Sequence, residues 1–282
     1  MSTRAAYAGL LVPLSLLFLF FLVAPFLNIV VMSFYTYSPI KIWVPHLTTA
    51  NYLGLAQGGF GSVLLRTMRI GLICTLVCAF FGYPVAYFLA RTRPAVRAVC
   101  LFLLLMPLMV SSVIRTYGWL VILGREGLVN NFLHALGFAR ISLLYNEAAV
   151  IVGLANVFMP FMTLPLMASI ERINPRLEEA ARNLGANWAG TFRRVILPLS
   201  GPGLISGCLL VYSAAISAFV VPALMGGARV QVLGRRIYDQ LLVSYQWPLA
   251  SAIATLLVIG TGLLIAIALI VTRRGPTERA RA

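Results

Sequence analysis

Few residues in this sequence are equipped for chemistry. It carries seven acidic residues, two histidines and four cysteines against 22 basic residues. Its one lysine, Lys41, follows Tyr35-Thr36-Tyr37-Ser38-Pro39-Ile40. A phosphate-gripping loop sets its lysine after a glycine-rich turn, so that backbone N–H groups and the ammonium meet the phosphates together. Lys41 has no such turn, and the chain cannot hydrolyse ATP by that route. His46 and His134 are isolated and read as surface histidines. Cys74 and Cys78 share a helix face at i, i+4, but no histidine or carboxylate lies near them. With Cys100 and Cys208 they sit in apolar runs and read as buried free thiols. The expectation is no catalytic residue, no metal and no cofactor of the chain's own.

A second group of residues suits binding rather than bond-breaking. Tyr83, Tyr87, Tyr117, Trp119, Asn156, Tyr212, Ser213 and Ser217 are polar or amphipathic groups in or beside long apolar runs. They read in two ways. Hydroxyls and aromatic faces can line a translocation path, or they can make the helix–helix hydrogen bonds common in membranes. Tyr117, Trp119, Asn156, Tyr212, Ser213 and Ser217 are the path candidates. The stretch 212–218 interrupts the most apolar part of its run, and Ser213 and Ser217 share a face at i, i+4. Arg115 follows the run 98–114, about 26 Å of helix at 1.5 Å per residue, and is expected at an interface with its head snorkelling to water. Pro84, Pro107, Pro160 and Pro165 are expected to bend their helices or end local hydrogen bonding.

The segment 171–199 has the punctuation of helices rather than of a loop. Asn174 is a good N-cap and Pro175 a good first helical residue. Leu177, Ala180, Ala181 and Leu184 follow i, i+3, i+4, i+7 spacing on one face. Gly185 is a natural stop. Asn187 caps a second short helix running to Arg194, and Leu197-Pro198 ends it before Gly201-Pro202-Gly203. Two short helices joined at a glycine suit docking to a soluble partner. The alternative is an amphipathic pair lying on a membrane surface.

The elements that position these residues follow from composition. The chain has 282 residues, 61% hydrophobic and 10% charged, with mean hydropathy +0.94. A soluble domain is about half apolar and a quarter charged. That excess argues against a soluble enzyme, a nucleic-acid-binding module and a disordered chain, and for an integral membrane protein. Six runs lack Asp, Glu, Lys and Arg: 9–34, 70–90, 98–114, 148–170, 203–222 and 248–272. Each matches the roughly 20 residues that cross a hydrocarbon core. They are expected to be helices, because backbone groups in lipid must bond internally and the runs lack the alternation of a barrel strand. The first is too long for a signal-peptide core and reads as a retained helix.

Arginines set the orientation. Arg4, the turn 91–97, the segment 171–199 and the tail hold most of the basic residues. The positive-inside rule therefore places both termini in the cytoplasm. It also accounts for the net charge of +15 without a nucleic-acid partner. Loops 35–69, 125–147 and 223–247 fall outside, with Trp43 and Trp247 suited to an interfacial belt. The organisation expected is an N-terminal helix and first outer loop over 1–65, a transmembrane domain over 66–272 and a cytoplasmic tail over 273–282. The spans contain no carboxylate, which weakens a secondary transporter or channel, the alternative reading.

One pattern resembles a known family. Glu179-Ala180-Ala181, then Gly185, then Val195 and Leu197-Pro198, is similar to the EAA loop of bacterial ATP-binding-cassette importer permeases. The usual pattern has isoleucine at the position of Val195. The resemblance extends through Arg115-Thr116-Tyr117-Gly118-Trp119-Leu120, Gly127-Leu128-Val129-Asn130, Phe161-Met162-Thr163-Leu164-Pro165-Leu166 and Trp247-Pro248-Leu249 to the first permease subunit of spermidine/putrescine-type importers. It implies an all-α membrane protein with six transmembrane helices in the MetI-like arrangement, in the bacterial inner membrane. It implies that Glu179, Ala180, Ala181, Gly185, Leu197 and Pro198 couple the chain to an ATPase, with Glu179 as the contact and Gly185 as the bend. The partners implied are two ATP-binding-cassette subunits that bind the ATP, a second homologous permease, a periplasmic solute-binding protein and the lipid bilayer. The implied cargo is a small cationic or zwitterionic solute. One departure bears on it: polyamine permeases of this type carry an acidic residue where this chain has Ala218, before Phe219-Val220.

Overall fold

Apolar runs that must satisfy their own backbone form helices. The structure is a computed structural model that describes residues 3–273. Arg274, Arg279 and Arg281 of the expected tail lie outside the described residues. The order is α1 (Thr3–Met32), β1 (Tyr35–Ser38), β2 (Ile42–Leu47), α2 (Ala50–Gln57), α3 (Phe60–Arg91), α4 (Pro94–Met109), α5 (Ser112–Leu123), α6 (Leu128–Ala135), α7 (Glu147–Glu171), α8 (Pro175–Asn183), α9 (Trp188–Thr191), α10 (Leu197–Leu199), α11 (Gly201–Ser217), α12 (Val220–Met225), α13 (Leu233–Tyr238) and α14 (Trp247–Arg273).

Among the described residues, four helices are long and apolar enough to cross a membrane unaided: α1, α3, α7 and α14. Two bent pairs bring the number to as many as six. Pro94–Met109 and Ser112–Ala135 meet at 98°, and Trp188–Leu199 and Gly201–Ser217 at 69°.

The structure departs from the sequence reading in four places. The expected loop 35–69 is largely ordered: β1 and β2 pair antiparallel with Thr36 opposite Val44 and Tyr37 opposite Trp43, where aromatic and β-branched side chains favour a pleated strand. The same stretch holds α2, and α3 starts ten residues before the apolar run, so Arg66 and Arg69 are helical. The third run does not continue straight. It breaks at Val110-Ser111, and the Arg115 Nη1 donates to the Pro107 carbonyl at 2.6 Å. Arg115 therefore folds back on the break instead of snorkelling from a straight helix end. The fifth run also breaks, at Ala218-Phe219, where Ala218 is extended (φ −65°, ψ 138°). Pro222 explains it. A proline lacks the N–H that would bond the carbonyl of Ala218, and its ring crowds that carbonyl. Inside the first turn of α12 it is harmless.

The described residues divide into two compact units, one from those up to 61 with those from 236 onward and one from residues 62–235. In the first, α14 packs on α1, α2 and the hairpin. The second is built around α3, α7 and α11. Gly203 and Gly207, one helical turn apart on α11, meet α7 so closely that a Cβ at Gly203 would lie 2.3 Å from the Ser169 Cβ, and one at Gly207 would lie 2.8 Å from the Met162 Sδ. Small residues at i, i+4 let helix backbones approach in lipid. Those pairings make α11 antiparallel to α7. Arg66 and Arg69 at the start of α3 pair with Glu147 at the start of α7, so α3 and α7 run parallel. The buried cluster near that end includes Ile70, Cys74, Cys78, Val150, Leu154 and Met225. A second cluster at the other end joins Tyr83, Leu89, Leu166, Ile170, Ile173 and Ile196. Leu72, Leu76, Phe80 and Phe81 face outward on α3, as a lipid-facing helix requires.

Candidate functional site

The segment after α7 begins with two local signals that fix its geometry. A residue before proline avoids helical ψ, and Asn174 is extended there (ψ 121°) with its side chain accepting from the Arg176 N–H at 3.1 Å. Pro175 then starts α8. The helix ends in a full Schellman turn. The Ala186 N–H bonds the Ala181 carbonyl at 3.0 Å and the Gly185 N–H bonds the Arg182 carbonyl at 2.9 Å. That turn needs a left-handed residue at Gly185, whose φ is +84°. Asn187 caps α9 by accepting from the Gly190 N–H at 2.8 Å.

Beyond α9 the sequence reading needs correction. Leu197-Pro198 does not terminate the second helix. The backbone widens into a π-helical turn over Phe192–Ile196 and continues into α10. The extra residue per turn gives the Pro198 ring room in a helix that it would otherwise break. The bend comes two residues later, at Ser200.

The faces of α8 are reversed relative to an ordinary amphipathic helix. Its one buried residue is the carboxylate Glu178, 7% exposed. The Arg91 guanidinium bonds it from Nε at 3.1 Å and Nη2 at 2.6 Å, and the Tyr87 hydroxyl donates to it at 2.8 Å. A carboxylate taken out of water needs such partners. The predicted apolar face points outward: Leu177 is 47% and Leu184 88% exposed, with Ala180 exposed and Ala181 half-buried. Glu179 is exposed beside it, and so is Trp188, which stacks on Phe192 with ring centroids 5.4 Å apart.

The path candidates do not form one cluster. Trp119 Nε1 donates to Asn156 Oδ1 at 3.3 Å, joining α5 to α7. Tyr212 packs against Gly71 beside Ile216. Ser217 donates to carbonyls of its own helix, Ser213 at 3.0 Å and Ala214 at 3.1 Å. Ser213 is half-buried and Tyr117 is 55% exposed. Tyr83 and Tyr87 are turned toward the segment 178–200: Tyr83 shares a 2.5 Å hydrogen bond with Ser200, and both rings line an apolar groove of about 460 Å³ with Phe80, Trp188, Phe192 and Leu204. Cys74 and Cys78 are fully buried, while His46 and His134 are exposed.

Sequence reasoning passed over Glu178 and the glycine pair. Gly203 and Gly207 carried a legible small-xxx-small signal. Glu178 carried none, because its partner Arg91 lies 87 residues away.

Residues 79–275 match the family described as binding-protein-dependent transport system inner membrane component. The spermidine/putrescine transport system permease protein PotB of Haemophilus influenzae is 40% identical over 249 residues, 88% of this chain and 87% of that protein. The PotB of Escherichia coli K12 is 40% identical over 247 residues, 87% of this chain and 90% of its own length. Among solved structures, a chain of the bacterial alginate ABC transporter in complex with alginate pentasaccharide-bound periplasmic protein is similar with a TM-score of 0.79. It covers 95% of this chain and 94% of its own at 19% identity, a likeness of fold.

Proposed function

The chain belongs to the family of binding-protein-dependent transport system inner membrane components, as a multi-pass permease subunit of an ABC importer, and from that premise we propose how its parts work. The segment 171–199 faces the cytoplasm and seats α8 in an ATPase subunit. Leu177 and Leu184 supply the apolar contact, Glu179 the charged one, and Gly185 the turn that presents them. Ala180 and Ala181 keep the face flat enough to seat, and Leu197-Pro198 carry the segment into the fifth span. Both termini are cytoplasmic. The observation that carries this reading is the outward apolar surface of α8, where Leu177 and Leu184 are exposed and the one buried residue is Glu178.

The chain itself has no catalytic residue and no cofactor. Two ATP-binding-cassette subunits hydrolyse ATP, a second homologous permease completes the pathway, and a periplasmic binding protein delivers solute to the outer loops. Closure of the ATPase pair pushes on α8, and the spans change between inward and outward access. The cargo is a small cationic or zwitterionic solute of polyamine or opine type, a reading supported by the 40% identity to PotB proteins. Tyr117, Trp119, Asn156, Tyr212, Ser213 and Ser217 are the path candidates; aromatic faces and hydroxyl oxygens attract cations without a carboxylate.

Purification in mild detergent, after expression with the neighbouring genes, tests this. The expected preparation contains an ATPase, a second permease and a binding protein, and the binding protein is then screened for ligand. A stable preparation without any ATPase refutes the docking assignment.

A further inference from the structure

The arginine-rich turn 91–97 does more than mark one side of a membrane. Arg93-Pro94 makes it tight: Arg93 is extended (ψ 148°) and Pro94 opens α4. It grips the α7–α8 connection at three points. Arg97 on α4 pairs with Glu171, the last residue of α7. Arg91, the last residue of α3, bonds the Ile173 carbonyl at 3.0 Å within the connection. Arg91 also holds Glu178 on α8 through two nitrogens, with Tyr87 adding a third bond. The side chains of Arg91 and Glu178 are 21% and 9% exposed, so water does not loosen the pair as it does a surface ion pair. At the other end of α3, Arg66 and Arg69 tie that helix to Glu147, the first residue of α7. A helix of 32 residues spans about 48 Å. Pro84 removes one of its hydrogen bonds, and the Tyr83 bond to Ser200 braces α3 just there.

We propose that the 91–97 turn is a strap, and that Glu178 is the positioning residue through which displacement of α8 reaches the far end of α3. Glu179 and Glu178 thereby divide the work of one helical turn. The first faces the partner, the second faces the chain's own bundle. Removing the ion pair while leaving the outward face intact separates the two events. The ATPase still binds α8, but its motion is not delivered to α3. This inference rests on the docking reading of α8 given above.

The test uses the purified complex with its partner subunits and compares hydrogen–deuterium exchange with and without ATP and vanadate. In the wild type, exchange is expected to change in residues 175–184 and also in residues 60–70. In Glu178→Gln, the ATPase content per permease and the response of 175–184 stay near wild type, while the response of 60–70 falls at least severalfold. Arg97→Gln, at a half-exposed pair, gives a milder loss of the same kind and serves if Glu178→Gln does not fold. Glu178→Asp restores part of the response. A response at 60–70 that persists in full in Glu178→Gln or, where that variant does not fold, in Arg97→Gln overturns the strap with docking intact. So does a wild type that responds only at 175–184. A wild-type complex without bound ATPase overturns the docking reading first, and the strap with it.

Discussion

Two adjacent glutamates on α8, about 100° apart around the helix axis, differ in exposure. Glu178 is buried against Arg91 and Tyr87, and Glu179 is exposed. Their losses should differ in kind. Glu179→Ala is expected to leave membrane insertion and the thermal midpoint unchanged while weakening ATPase retention about tenfold, equivalent to about 1.4 kcal/mol; retention is read as ATPase per permease on a gel. Arg91→Ala strands a buried carboxylate, an imbalance worth about 3–5 kcal/mol in comparable sites. It should lower the midpoint by several degrees. At Gly185 the backbone is left-handed (φ +84°) with nothing within 4 Å of an added Cβ. Gly185→Leu therefore costs about 1–2 kcal/mol through the backbone alone. It should loosen the turn and reduce docking without touching the core. The sequence disclosed Gly185 and both Asn caps, since caps and stops are local. It did not disclose Glu178, because a charge pair across 87 positions leaves no periodic trace.

Helices were legible where hydrophobic runs are long and unpunctuated, as in α7 and α14, whose observed bounds fall within a residue or so of the runs. The two breaks were not. The one at Ala218-Phe219 depends on how Pro222 sits relative to the carbonyl four residues back, whereas Pro84 is tolerated inside α3 and Pro160 and Pro165 inside α7. Helix contacts follow the glycines. Gly203→Ala drives a Cβ to within 2.3 Å of Ser169 and 2.7 Å of the Pro165 carbonyl. Overpacking of that kind costs about 1–3 kcal/mol. Gly201→Ala, two residues away, meets nothing within 4 Å and should be near neutral. Differential scanning of the two variants checks this; equal midpoints contradict the proposed α7–α11 contact.

At the scale of the molecule, composition pointed to the membrane class, and the arginine pattern grouped the turn 91–97 with the segment 171–199. The pairs Arg97–Glu171 and Arg91–Glu178 place the turn 91–97 and the segment 171–199 at one end of the α3–α7 bundle, and Arg66 and Arg69 meet Glu147 at the other. The cargo depends on sites that no run of residues announces, and Ala218 is the place to probe it. It closes α11 at the helix break, with its carbonyl close to Gly234. Ala218→Asp is expected to raise putrescine uptake by membrane vesicles severalfold, because a carboxylate there adds an acceptor for a cation. Unchanged uptake takes the position off the path.

The most direct measurement concerns the outward face of α8. Leu184 is 88% exposed and touches little of its own chain, so Leu184→Asp leaves the fold alone while placing a charge in the docking surface. The measurement is the amount of ATPase subunit retained per permease on purification from membranes. The account predicts that it falls at least about tenfold, equivalent to about 1.4 kcal/mol, with the permease inserted at its normal level. Full retention of the ATPase by this variant contradicts the assignment of α8 as the coupling helix.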